Sequence, residues 1–235
     1  AAAALALLVR GPGDAGVPAD SAQSMATGVQ VLEPGREYAT AVGRRESLRL
    51  PDGTRLTLAP GSRLAVSGTF GAAAREVTLE GQALFTVVHD DARPFTVRAG
   101  NAIVRDIGTV FSVRTDGQAA GGTVVEVTEG RVALRPATRG TPGDEAGVEL
   151  VAGDRGALSA SGAVTAERGV VSHDDVAWAG GTLTYRAAPV SLVAADLRRW
   201  YGLELRIDSA LAARRLTATF AGDPAEQVVQ VVALA

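Results

Sequence analysis

The stretch Arg75–Arg114, REVTLEGQALFTVVHDDARPFTVRAGNAIVRDIGTVFSVR, decides the fold. Apolar and polar residues alternate within it in short runs, and turn residues interrupt the runs. A period of two places every second side chain on one face of a sheet, so the pattern predicts strands at 75–80, 83–88, 95–98, 102–107 and 109–114. Gly81, Gly100 and the His89-Asp90-Asp91-Ala92-Arg93-Pro94 segment supply the turns between them. This segment is all β.

The same grammar extends both ways. Leu48 and Leu50 alternate with Ser47 and Arg49, Pro51-Asp52-Gly53 turns the chain, and Leu56 and Leu58 alternate with Arg55 and Thr57. That is a hairpin signal, with proline presetting φ and glycine supplying a positive one. Further strands are expected at 62–68, 123–128, 131–135, 148–151 and 155–159, separated by turns carrying Gly61, Gly117, Gly130 and Gly153. Such close spacing fits a sandwich, a barrel or a stacked solenoid. Gly61, Gly81 and Gly100 stand 20 and 19 residues apart, but later intervals lengthen, so no regular repeat is set.

After about Val170 the pattern changes. Thr182 to Arg186 reads as a strand. Val190, Val193, Leu197 and Trp200 then mark one face of a helix that opens at Pro189 and stops at Gly202. Leu203, Leu205 and Ile207 alternate as a strand, and Arg215 to Phe220 as another. Asp223-Pro224-Ala225-Glu226 starts a second helix, with Val229, Val232 and Ala233 expected to face inward. The order βαββα describes a compact α/β unit.

At the other end, Ala1 to Val9 are apolar and stop at Arg10, whereas a membrane-spanning helix needs about 20 apolar residues. Two readings stay open: the end of a transmembrane helix, or a short amphipathic or tag-like extension. The basic n-region of a signal peptide is missing. Residues 11–34 are rich in Gly, Pro, Ala, Asp and Ser without periodicity, which suits a flexible tether.

The composition excludes much chemistry. Of 235 residues 46% are hydrophobic, ordinary for a folded core, and a formal net charge of −3 gives no field to attract nucleic acid. There is no lysine, which removes Schiff bases and P-loop phosphate clamps, and no cysteine, which removes thiol nucleophiles and thiolate metal sites. The two histidines each open a His-Asp-Asp triplet, at His89 and His173. Zinc, manganese or iron could be held if the triplets met, but adjacent residues on an extended chain point apart, and solvated turns are the simpler reading. Asp52, Asp106, Glu126 and Glu129 sit in or beside strands with nothing to pair them as acid and base. No Gly-x-Ser-x-Gly elbow occurs. These features describe a protein that binds rather than reacts.

Six ordered blocks in residues 38–135 resemble the periplasmic domain of FecR-type regulators, membrane-bound anti-sigma factors of cell-surface signalling. They are Leu50-Pro51-Asp52-Gly53-Thr54, Gly61-Ser62-Arg63-Leu64, Arg75 to Phe85, Arg93-Pro94-Phe95, Gly108-Thr109 with Phe111, and Val127 to Val132 with Glu129-Gly130. Leu150-Val151-Ala152-Gly153-Asp154 fits the segment that closes this domain in the family. The family's motif positions fall on Asp52, Gly53, Gly81, Arg93, Pro94, Phe95, Gly108, Thr109, Phe111 and Gly130. Trp178-Ala179-Gly180-Gly181, Leu197-Arg198-Arg199-Trp200-Tyr201 and Leu216 to Phe220 resemble the short domain at the N-termini of secretins and TonB-dependent transducers.

The resemblance implies a mainly β fold, with a β-solenoid-like domain at 37–168 followed by a small α/β domain at 177–235. It also implies that 1–9 end a transmembrane helix and 10–36 form a linker. No catalysis, cofactor or metal is implied. The implied setting is the periplasmic region of a single-pass inner-membrane protein. The implied partners are the periplasmic signalling domain of a TonB-dependent transducer serving iron-chelate uptake, regulatory membrane proteases, and an ECF-type sigma factor bound through a cytoplasmic segment outside this chain. Leu203, Leu205 and Ile207 form the candidate docking edge, since small α/β units commonly offer a strand for augmentation; a strand paired on both sides is the alternative. A different class of function, a periplasmic glycan-binding β-solenoid module, calls for exposed aromatics. A β-helical carbohydrate-active enzyme needs a carboxylate cluster.

Overall fold

The computed structural model describes residues 30–106, 108–115, 122–137, 147–205, 207 and 211–233. Its first strands are β1 (Gln30–Val31), β2 (Glu37–Ala39), β3 (Glu46–Arg49), β4 (Arg55–Leu58), β5 (Arg63–Val66), β6 (Arg75–Glu80) and β7 (Gln82–Thr86). Then follow β8 (Phe95–Ala99), β9 (Ala102–Asp106), β10 (Val110–Arg114), β11 (Thr123–Glu129), β12 (Arg131–Pro136), β13 (Val148–Val151), β14 (Arg155–Leu158) and β15 (Val164–Glu167). A 3-10 helix (His173–Gly180), β16 (Thr182–Pro189), α1 (Val190–Tyr201), β17 (Arg215–Ala221) and α2 (Ala225–Ala233) complete the chain.

The first fifteen strands make two sheets. One has eight strands in the order β1-β3-β4-β7-β10-β11-β14-β15, the other seven in the order β13-β12-β9-β8-β6-β5-β2. Strand number rises steadily across each sheet, so the chain advances along both layers together as it passes between them. Period-two alternation explains the layering. Leu56, Phe85, Phe111, Val113, Val125 and Val127 of the first sheet and Leu64, Val77, Leu79, Phe95, Val97 and Leu134 of the second share one buried core. Phe95 reaches across to Phe85, with ring centroids 5.7 Å apart, and Phe85 stacks on Phe111 at 5.4 Å. Burying each such ring contributes roughly 1.5–3 kcal/mol.

The mainly β expectation holds. The structure does not bring out its solenoid part: the pairings in these sheets are antiparallel except β1 with β3 and β6 with β8, so the layers are built largely from hairpins rather than from parallel coils. The expected tether also ends earlier than residue 36, because Gln30 and Val31 pair with β3 and Leu32 is buried. The apolar start and residues 10–29 lie outside the described residues. Among those described, no helix is long and apolar enough to cross a membrane.

A second core belongs to the C-terminal unit. Val190, Val193 and Leu197 of α1, the face read from spacing, pack with Trp178, Leu183, Tyr185, Leu216, Phe220 and Val228. Gly202 ends α1 in the left-handed region at φ 70°, its amide donating to the Arg198 carbonyl. Two expectations are corrected. Leu203, Glu204, Leu205 and Ile207 are in no strand; among the described residues the sheet is the β16–β17 pair, and Leu205 and Ile207 turn their side chains onto the core instead of offering a ladder. In α2 the inward residues are Val228 and Val232, one helical turn apart, rather than Val229; the side chain of Ala233 lies outside the described residues. Asp223 does not cap α2 with its carboxylate, which accepts from the Ala221 amide 2.8 Å away.

Candidate partner-coupling interface

Half of the motif positions converge on one buried arginine. Arg75 opens β6 in register with inward-facing Val77 and Leu79, so its side chain points into the molecule, where it is 1% exposed. Its guanidinium donates to Asp52 (3.1 Å) and to the carbonyls of Val88 (2.7 Å), Arg93 (2.6 Å) and Asp90 (3.4 Å), and its carbon lies 5.9 Å from the Phe95 ring centroid. Asp52 also accepts from the amide and hydroxyl of Thr54 in the turn that Gly53 makes at φ 91°. Arg93 binds Asp90 and the Gly71 carbonyl, and Pro94 leads into β8. One cation thus closes the Asp52 turn, the 88–93 loop and the start of β6. A planar fork of five donors suits that task.

The remaining motif glycines are close approaches. A Cβ on Gly81 would lie 2.4 Å from the Ser62 hydroxyl oxygen, one on Gly108 2.6 Å from His89, and one on Gly130 2.4 Å from the Thr109 methyl. Thr109 and Phe111 are buried. His89 meets Asp91 on the surface at 3.1 Å, and His173 begins the 3-10 helix. Among the described residues no three His, Asp or Glu side chains gather to hold a metal.

The second convergence lies where the C-terminal unit covers the outer face of the eight-stranded sheet. Side chains on that face have the opposite parity to the core: Leu84 of β7, Ser112 and Arg114 of β10, Val124 and Glu126 of β11. Ala59 and Leu84 extend the second core across the boundary. Asp196, on the buried face of α1 beside Leu197 and 5% exposed, accepts from Arg114 at 2.5 and 3.3 Å and from the Tyr185 hydroxyl at 3.3 Å. Burial, with the Asp196 charge beside it, pushes the Tyr185 phenol far up, so it stays a donor.

A second clasp stands next to it. Arg155 of β14 binds Glu126 (2.9 Å) and reaches Asp175 of the 3-10 helix (3.3 Å). Burial raises the Glu126 carboxyl above its ordinary value; Arg155 opposes this and Asp175 adds to it. Asp154, one residue before Arg155, pins the connecting segment by accepting from Arg168 and the Gly169 amide. The Val151 amide first, with Arg168 and Gly169, holds the Asp154 carboxyl below the usual range. A cleft of about 420 Å³ remains between the sheet and the C-terminal unit.

Residues 36–133 match the family model for FecR protein. Those residues form a FecR domain. Over that span the chain is FecR-like. Two crystal structures of a candidate anti-sigma factor from Parabacteroides distasonis ATCC 8503, at 1.65 and 2.50 Å resolution, share the fold. Their TM-scores are 0.74 and 0.73 at 24% identity, over 85% of this chain and 91% and 90% of those chains. No curated protein matches the chain.

The FecR domain therefore contains all ten residues of the expected motif and the Arg75 hub. It also presents the sheet face on which the C-terminal unit rests. The candidate docking edge Leu203, Leu205 and Ile207 lies on the C-terminal unit, where Leu205 and Ile207 pack against the second core. Sequence reasoning missed Arg75 and Asp196, although each carried a signal: an arginine at the inward parity of a strand, and an aspartate inside the apolar stripe of a helix. What the arrangement offers is two packed bodies joined by buried ion pairs.

Proposed function

We propose that this chain is the periplasmic signal-receiving region of a single-pass inner-membrane regulator of an ECF-type sigma factor. Its C-terminal unit receives the periplasmic signalling domain of a TonB-dependent outer-membrane transducer, in the control of iron-chelate uptake. The observation that supports this best is the coupling of a FecR domain to a second body through the Arg114–Asp196–Tyr185 clasp. A partner that prefers one arrangement of the two bodies shifts their equilibrium by its differential affinity. Such a shift alters access of regulatory membrane proteases to the segment before residue 30. Sigma-factor binding belongs to a cytoplasmic segment outside this chain.

A sigma-dependent reporter tests the reading in cells. Removing residues 170–235 from the regulator is expected to abolish the reporter's response to the transducer's ligand. An unchanged response would overturn it. The alternative, a glycan-binding module using an exposed β face, is poorly served: the large exposed hydrophobics among the described residues are all valines.

A further inference from the structure

The cleft between the FecR domain and the C-terminal unit contains more polar chemistry than the clasps use. Trp178 is 5% exposed, lines the cleft, and its indole Nε1 has no hydrogen-bond partner. Gln82 and Ser112, 6% and 2% exposed, line the floor on neighbouring strands, and the side chain of neither is hydrogen-bonded to another described residue. Buried polar groups in folded proteins are nearly always satisfied, so the orphaned Trp178 N–H, with the Gln82 and Ser112 side chains open to the cleft beside it, marks a place where another molecule's donors and acceptors belong.

Charge narrows the class of that molecule. Arg114 is matched by Asp196, Arg155 by Glu126 and Asp175, Arg186 by Asp174, and Arg215 by the Ala187 carbonyl. An ionic ligand would find three of these four arginines already engaged by carboxylates. The open groups instead combine donors (the Trp178 N–H, the Gln82 amide N–H, the Ser112 hydroxyl) with acceptors (the Gln82 carbonyl, the Ser112 oxygen), a mixture that hydroxyl groups match because each donates and accepts. Leu183, Leu192 and Val124 add apolar wall for C–H faces. The volume of about 420 Å³ lies in the lower part of the range for small-molecule pockets.

We infer that this cleft binds an uncharged polyhydroxylated molecule of monosaccharide to disaccharide size. It is a cleft between two bodies, and an occupant there touches both of them.

The sequence contains two tryptophans, Trp178 and Trp200, and both line the cleft, so intrinsic fluorescence reads its occupancy directly. The whole chain is titrated with glucose, N-acetylglucosamine and trehalose. At least one is expected to give a saturable change with Kd below about 1 mM. Ser112→Ala and Gln82→Leu should each weaken that binding roughly tenfold or more while leaving Tm unchanged, since each side chain faces the cleft without bonding another described residue. A lowered Tm without loss of affinity would assign these residues to structure and overturn the inference. So would no saturable change with any of the three sugars, or a co-crystal structure with ordered water on Trp178, Gln82 and Ser112 and the sugar elsewhere.

Discussion

Replacing Asp196 by alanine tests the clasp that joins the two bodies. The carboxylate is 5% exposed and accepts three bonds, two from Arg114 and one from Tyr185. Its loss leaves the Arg114 guanidinium, 17% exposed, without that carboxylate. Removing one member of a buried pair typically costs about 3–5 kcal/mol, most of it the desolvation of the charge left behind. Arg114 borders the cleft and gains some water there, so a cost of roughly 2–3 kcal/mol is expected. For a chain of this size each kcal/mol moves Tm by about 2–4 °C, which gives a fall of roughly 5–10 °C by scanning calorimetry. Arg114→Ala and the double variant complete a cycle. The two changes should couple by more than about 1 kcal/mol, because once one partner is gone the other has little left to lose. If the single effects add to within about 0.5 kcal/mol, the pair does not join the bodies and the reasoning fails.

Arg75→Ala should cost about 3–5 kcal/mol in denaturant unfolding, since it leaves half-buried Asp52 and three carbonyls without the Arg75 donor; Arg75→Lys should not restore it, because an ammonium cannot span the same fork. Gly81→Ala should lower stability by about 1–3 kcal/mol, as φ is 97° and the new methyl meets Ser62, whereas Gly162→Ala at φ 88° meets nothing within 4 Å and should carry only the smaller backbone strain; equal losses would contradict the packing argument. Burial raises Glu126 in the folded state, so folding takes up a proton there, and the stability of the native chain relative to Glu126→Gln should fall as pH rises through the window just above the ordinary glutamate range; unfolding midpoints measured from acid to neutral pH that track in parallel would remove that assignment.

Much of the β architecture was legible because local alternation and turn residues set it. The expected strands from 62 to 159 fall within a residue or two of the observed ones. Three strands escaped: β1, two residues long inside a segment of linker composition; β2, three residues long; and β15, whose Val-Thr-Ala-Glu pattern is mostly exposed. Short edge strands carry little apolar signal, since partners rather than propensity hold them. Leu203-Glu204-Leu205 alternates as a strand does, and Leu205 does face the core, but periodicity reports which side chains are buried and not whether the backbone pairs. The two clasps depend on residues far apart in sequence. Arg114 and Asp196 are separated by 82 positions, and only the folded chain brings them together. The glycines of the motif were visible, but the reason for them was not: Gly81 yields to Ser62 and Gly108 to His89, contacts that spacing cannot announce.

The central claim is that this chain receives a transducer. Isothermal titration of the chain with the periplasmic signalling domain of the TonB-dependent transducer encoded beside it tests that claim most directly. The account predicts saturable one-to-one binding with a Kd of about micromolar or tighter. No heat across a range of temperatures, together with no co-migration of the two proteins at concentrations of about 100 μM, would contradict it.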